Sequence, residues 1–354
     1  MSAAVAACTV TAVLPGAASA APSAVGASAA DVVRISVAAD GTQADDNSSG
    51  ASITADGRSI VFSSSAKNLT PDTPTEGDKV FVRDQRTSQT RRMGHLPPLQ
   101  PPVISDNGEY VAYPVQWMNG DRIRQYEVST GRTITAGCSL FTCNQPSLSS
   151  DGRYTAHISL SYRQQSYGQR VQVEDWKTAT IATVATFDHT VPSEPSISDD
   201  GRYVAYQNGK TKDVFLWDRT GGTTSGPIEG PTAEAKLVQL SDDGGKVVYL
   251  SGSDTYVHDV SSGTAQLVPN VRGVAIDPTG RYLLHTPHDA TGPSTLTLRD
   301  LRTGTDETVS AQPASAETDA VSTGGRDVVF HSTADDIVPG DTNGKSDVFV
   351  RRFY

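Results

Sequence analysis

The 354-residue chain is poor in basic residues, in cysteine and in long apolar runs. With 29 Lys and Arg against 40 Asp and Glu, and a net charge of −11, it has no concentrated basic face to release phosphate counterions. Nucleic acid is therefore excluded as the expected partner. Charged residues make up only 19% and apolar residues 36%, which excludes a disordered chain. The 31 Gly and 20 Pro exclude a long-helix or coiled-coil protein and predict a turn-rich globule. Three local signatures of catalysis are missing: the G-x-S-x-G nucleophile elbow, the phosphate-cradling P-loop and H-E-x-x-H.

Charge is absent altogether from residues 1–30, which are dominated by Ala. The apolar stretch from Ala3 to Leu14 is too short to span a bilayer, is broken by Pro15 and Gly16, and is followed by the small-x-small pattern Ala18-Ser19-Ala20. It is expected to act as a secretory signal peptide, with 1–30 as leader and linker and 31–354 as a single exported domain. Val5-Ala6-Ala7-Cys8 resembles a lipobox, but the apolar stretch runs on past Cys8. No later segment reaches transmembrane length. Beyond the leader only Cys138 and Cys143 remain, in CSLFTC. In an oxidising compartment this pair is expected to form a disulfide closing a small loop.

One pattern then recurs: SITADGRSIVF, VISDNGEYVAY, SLSSDGRYTAH, SISDDGRYVAY, QLSDDGGKVVY, AIDPTGRYLLH and AVSTGGRDVVF. Its glycines are Gly57, Gly108, Gly152, Gly201, Gly244, Gly280 and Gly325, spaced 36 to 51 residues apart, a period that belongs to propeller-type arrays. Asp-Gly or Asn-Gly between apolar runs is a tight hairpin. Four residues before each glycine stands Ile53, Ile104, Leu148, Ile197, Leu240, Ile276 or Val321, an apolar anchor for a first strand. Runs such as Tyr203-Val204-Ala205-Tyr206 are apolar on both faces, as in a strand sandwiched between sheets. A third strand such as Val214-Phe215-Leu216 ends on an acid (Asp84, Asp175, Asp218, Asp259 or Asp300), and a turn leads to a fourth, such as Ala265-Gln266-Leu267-Val268.

The predicted fold is all-β: a seven-bladed β-propeller of four-stranded antiparallel blades. The last copy ends on Val348-Phe349-Val350 without a fourth strand, while the expected strand Val32-Val33-Arg34-Ile35-Ser36-Val37 has no blade of its own. Pairing the two closes the ring and removes both edges. The S-x-D-G-R-Y-V-A-Y units with their following V-F-x-W-D-type strand resemble the WD-like repeats of TolB-like β-propellers. The W-S-P-D-G form of that family survives only as Asp277-Pro278. The resemblance implies a secreted or periplasmic binding scaffold.

Chemistry is sparse in this pattern. His157 and His285 fall where other copies carry Phe62, Tyr113, Tyr206, Tyr249 and Phe330, so both are read as packed structural residues. The acids closing the third strands are read as caps of the following turns. Asp341, Asn343 and Asp347 in DTNGKSD resemble an oxygen-rich Ca2+ loop without the terminal Glu of an EF-hand. Trp117, Tyr162, Arg163 and Tyr167, on long segments between second and third strands, suit a recognition surface. The expectation is a monomeric, secreted or periplasmic, non-enzymatic scaffold with no obligatory cofactor, binding a protein or cell-envelope component on its loop face. The alternative is a propeller lyase or hydrolase with a dispersed site around His285 and His288, with or without a metal.

Overall fold

The computed structural model describes residues 31–353 apart from 74–75, 119, 136–141, 162–167, 189, 191–192 and 233. Seven antiparallel sheets follow one another along the chain. Six of them, spanning 48–93, 103–135, 142–188, 193–228, 236–268 and 271–314, have four strands in sequential order. In the seventh, strands Asp327–Ser332 and Asp347–Arg352 are joined by Val32–Arg34 on the outside and by two isolated bridges, Ser315 to His331 and Val321 to Val328, on the inside. The register of closure runs Val32 to Arg351, Val33 to Val350 and Arg34 to Phe349. The chain is the seven-bladed propeller that its repeats predict, sealed by its own first strand.

The side chains of the repeat explain its consensus. In blade 4, Ser198 Oγ donates to Asp200 Oδ1 at 2.7 Å, accepts the Tyr203 amide at 2.9 Å, and Asp200 Oδ1 also accepts the Arg202 amide at 2.8 Å. The same set recurs at Thr54/Asp56, Ser105/Asn107, Ser149/Asp151 and Ser241/Asp243. Serine and aspartate thus satisfy the amides that a tight turn would leave bare. Gly201 has φ +67, and an added Cβ there would overlap the ring of Tyr154 from the preceding blade. The glycine therefore serves both the turn and the contact between blades.

The third-strand acids do cap their turns: Asp218 Oδ1 accepts the Thr220 amide at 2.9 Å and the Gly221 amide at 3.2 Å. They also bind the basic residue after the turn glycine, as in Arg153–Asp175 at 2.7 Å, Arg202–Asp218 at 2.8 Å and Arg281–Asp300 at 2.6 Å. Inside the blades, second and third strands stack aromatic rings: Phe62 on Phe81, Tyr206 on Phe215, Tyr249 on Tyr256 and Phe330 on Phe349. His157 occupies that slot in blade 3, fully buried opposite Gln172, and His285 occupies it in blade 6 opposite Thr297.

Candidate functional site: the ring axis and the loop face

The innermost strands line the axis, and a β-bulge in most of them decides which side chains do so. In blades 1, 3, 4, 5 and 6 the register of first and second strands shifts just before Ser52, Ser147, Ser196, Gln239 and Ala275. A bulge re-aims its side chain, here toward the next blade. Ser52 Oγ accepts the Ile104 amide at 3.2 Å, Ser147 Oγ the Ile197 amide at 3.1 Å, Ser196 Oγ the Leu240 amide at 3.0 Å and Gln239 Oε1 the Ile276 amide at 3.0 Å. These bonds lock neighbouring inner strands to one another around the axis.

At the face carrying the Asp-Gly turns, a second set of bonds links the blades. The amides of Asn107, Ser150 and Asp199 donate to the carbonyls of Ser150, Asp199 and Asp242 at 3.1, 3.1 and 2.7 Å. This brings Asp106, Asp199 and Asp242 together, with one carboxylate oxygen of each within 4.8 Å of the others. Burial and the neighbouring Asp199 carboxylate push Asp106 up to about 9. Burial raises Asp242 as well, and Asp106, Asp319, Asp199 and Asp277 raise it further. Like charges this close cannot all ionise without a proton or a cation among them. Three hard oxygen donors suit Ca2+, Mg2+ or Mn2+ by their chemistry. The repeat consensus directed attention to the residue immediately before each glycine. The missed signal lies one position earlier, where three copies carry an acid and the others Ala55, Ser150, Pro278 and Thr323.

At the opposite mouth, where second strands turn into third strands, the axis opens into a cavity of ≈ 160 Å³ with Pro102, Pro146 and Pro195 on its wall. Glu194, Glu317 and Asp319 also face it. Asp319 accepts Gln239 Nε2 at 2.7 Å, and burial with the Asp199 charge lifts it to about 6. Burial and the Glu194 charge likewise raise Glu317.

Among the described residues, the loop face has an apolar edge on blade 2. The segment around Trp117, one of the long segments between second and third strands, is not a loop. Instead the strands run on as Tyr110–Trp117 and Gly120–Glu127, paired up to Trp117 and Gly120. Trp117 is 42% exposed and Met118 86%. The Arg124 guanidinium lies 4.5 Å from the Trp117 ring centre. Leu99, 47% exposed, is tied to the same hairpin by its amide bond to the Pro114 carbonyl at 2.9 Å. Tyr162, Arg163 and Tyr167 lie outside the described residues, as does Cys138, and with it the expected pairing of Cys138 with Cys143. Cys143 itself is buried.

The loop of Asp341, Asn343 and Asp347 folds around protein donors. Gln43 Nε2 donates to Asp341 at 2.7 Å and to Asp347 at 3.1 Å, Ser36 Oγ to Asp347 at 2.5 Å and Asn343 Nδ2 to Asp347 at 3.0 Å. The Arg34 guanidinium lies between both carboxylates. His285 is buried with Nε2 3.6 Å from Asp306, whereas His288 is exposed.

No family model matches the chain, and no curated protein does either. Among solved structures, it is similar to an oligogalacturonate lyase in complex with manganese, at 14% identity over 91% of this chain and 93% of that one, TM-score 0.63. It is likewise similar to the oligogalacturonate lyase from Vibrio parahaemolyticus, at 11% identity over 91% and 93%, TM-score 0.65. A TolB from Acinetobacter baumannii matches at 14% identity over 73% of this chain and 62% of that one, TM-score 0.49. The two lyase structures, at identities this low, carry the fold and nothing further.

Proposed function

We propose that this chain is an exported, non-enzymatic propeller that recognises a protein or cell-envelope ligand on its loop face. The observation that carries this reading is the apolar edge of blade 2. Leu99, Trp117 and Met118 are three of the five large hydrophobic side chains exposed among the described residues, and all belong to one hairpin and the segment paired to it. A Trp braced by an Arg on a paired hairpin is preorganised, and such anchors supply much of the energy of protein recognition. Tyr162, Arg163 and Tyr167 are proposed to extend the surface, and Cys138–Cys143 to staple the neighbouring blade. Export rests on the leader at 1–30. Among the described residues no helix is long and apolar enough to cross a membrane.

The test is crosslinked capture from native envelope with wild type, Trp117→Ala and Met118→Ser. A specific species lost in both variants, with Tm unchanged, supports the reading; equal capture by all three proteins overturns it.

A second reading, a metal-dependent lyase or hydrolase, is favoured by the Asp106, Asp199 and Asp242 cluster, whose oxygens would hold a hard divalent cation. His285 is buried and His288 exposed, which weighs against a histidine-based version. An oligogalacturonate carries a carboxylate on each sugar and would be repelled by the acids of the axial cavity. Turnover of a glycan panel that requires Mn2+ and is lost in Asp199→Asn would replace the first reading by this one.

A further inference from the structure

We propose that the loop-face mouth of the axial channel receives a cationic side chain, the ammonium of a Lys or the guanidinium of an Arg, presented by a protein partner. This deepens the recognition reading and rests on it, since it names the chemistry of one group that the loop face would accept. Among the described residues, every ionisable side chain lining the cavity is an acid: Glu194, Glu317 and Asp319. Their negative potential continues down the axis, because the Asp319 charge also acts on Asp106 and Asp242 near the far mouth. Converging carboxylates in a narrow, low-dielectric passage attract a cation far more strongly than the same groups spread over open surface.

An observation independent of the acids points to the same ligand. Gln145 lines the cavity, and its Oε1 is buried with no hydrogen-bond partner among the described residues. Its backbone is held at φ +52, and its backbone amide donates to Gln100 Oε1 at 2.9 Å, so the stem from which the acceptor projects is fixed. A buried acceptor without a donor costs free energy, and an entering N–H group would satisfy it. The rest of the lining fits the stem of such a side chain. Pro102, just before the inner strand Val103–Ile104, and Pro146 and Pro195, within the next two inner strands, form an apolar wall along which methylenes can lie while the charged head reaches the carboxylates. A cavity of ≈ 160 Å³ admits one such side chain and excludes a folded segment.

The experiment uses residues 31–354 and three neutral-backbone probes, Nα-acetyl-lysine methylamide, Nα-acetyl-arginine methylamide and Nα-acetyl-norleucine methylamide, with cadaverine as the free-amine arm. Binding is followed by amide and side-chain chemical shifts at Gln145 and Thr318. The expected result is saturable shifts with the lysine or arginine probe and none with norleucine. Binding should weaken about tenfold or more in Glu317→Gln, whose Tm should not fall below the wild-type value, and should weaken as salt is raised. Tighter binding of cadaverine than of both side-chain probes would overturn the assignment to a partner side chain in favour of a free polyamine. Equal shifts with norleucine, or none with either cationic probe, would overturn the site itself. Capture that depends on Trp117 would survive that failure, which separates it from failure of the recognition reading.

Discussion

Arg34 Nη2 lies 3.0 Å from Asp341 Oδ2, so the first strand of the ring is held by charge to the loop that precedes its last strand. Arg34 Nε approaches Asp347 at 3.4 Å, and both carboxylates are almost wholly buried. The contacts are ones of proximity rather than aligned hydrogen bonding, since neither Arg34 nitrogen meets hydrogen-bond geometry; the aligned donors come from Gln43, Ser36 and Asn343. The guanidinium thus supplies a positive charge beside both acids. Arg34→Ala leaves two buried acids without it and is expected to cost about 3 kcal/mol, read as a lower urea midpoint with an unchanged m-value. A midpoint equal to wild type would mean that the amide and hydroxyl donors alone seal the ring.

Gly201→Ala tests the second duty of the turn glycines. The new Cβ meets the Tyr154 ring, which is itself flanked by the guanidiniums of Arg153 and Arg219 at 4.7 and 4.2 Å and has little room to retreat. Overpacking and the positive φ together are expected to cost about 3 kcal/mol. Gly222→Ala, also at positive φ but with open space around it, is expected to cost only the backbone part, about 1 kcal/mol. Equal losses in thermal unfolding of the two variants would show that the contact between blades contributes nothing.

His157 is buried with neither ring nitrogen in a hydrogen bond of good geometry, and burial lowers it to about 4. The unfolded chain therefore takes up its proton near the usual histidine value while the folded one resists until about pH 4, so stability falls as pH drops through that window. His157→Phe, the residue type of blades 1 and 7, is expected to remove up to about 3 kcal/mol of that acid loss. The measurement is Tm against pH between 4 and 7, and parallel curves for the two proteins would refute the assignment.

The axial acids predict a slope of opposite sign. Their folded-state values lie above the usual carboxylate range, so their protonated forms fit the fold, and stability is lost as pH rises from about 4 through the raised values. Asp242→Asn removes one charge from the cluster and is expected to raise Tm at pH 8 while leaving it unchanged at pH 4. A drop at pH 8 would show that Asp242 is engaged by a positive partner.

Much of the ring was legible because its information is local and repeated. The Ser, Asp and Gly of each turn bond within a few residues of one another, so their spacing betrays the hairpin, and seven copies at a propeller period betray the ring. The aromatic slot was legible for the same reason, and with it the packed state of His157 and His285. The pairing of Val32–Arg34 with the last strand followed from counting unpaired strands. Less visible was the hairpin extending to Trp117, since Pro114 and the polar residues around Asn119 resemble a loop until a partner strand holds them.

Other features depend on which residues from separate blades share a point in space. Asp106, Asp199 and Asp242 are unremarkable in any one repeat, and only the inter-blade amide bonds bring their oxygens together. Asp319 and Gln239 meet across the axis, Arg34 meets Asp341 across the seam, and Gln145 Oε1 is left without a donor. The sequence by itself determined the blade, its turns and their number, since each is built from short-range hydrogen bonds and periodic burial. The tertiary structure decided where charge accumulates and where the axis opens, because electrostatic energy depends on distances through space that no spacing along the chain encodes.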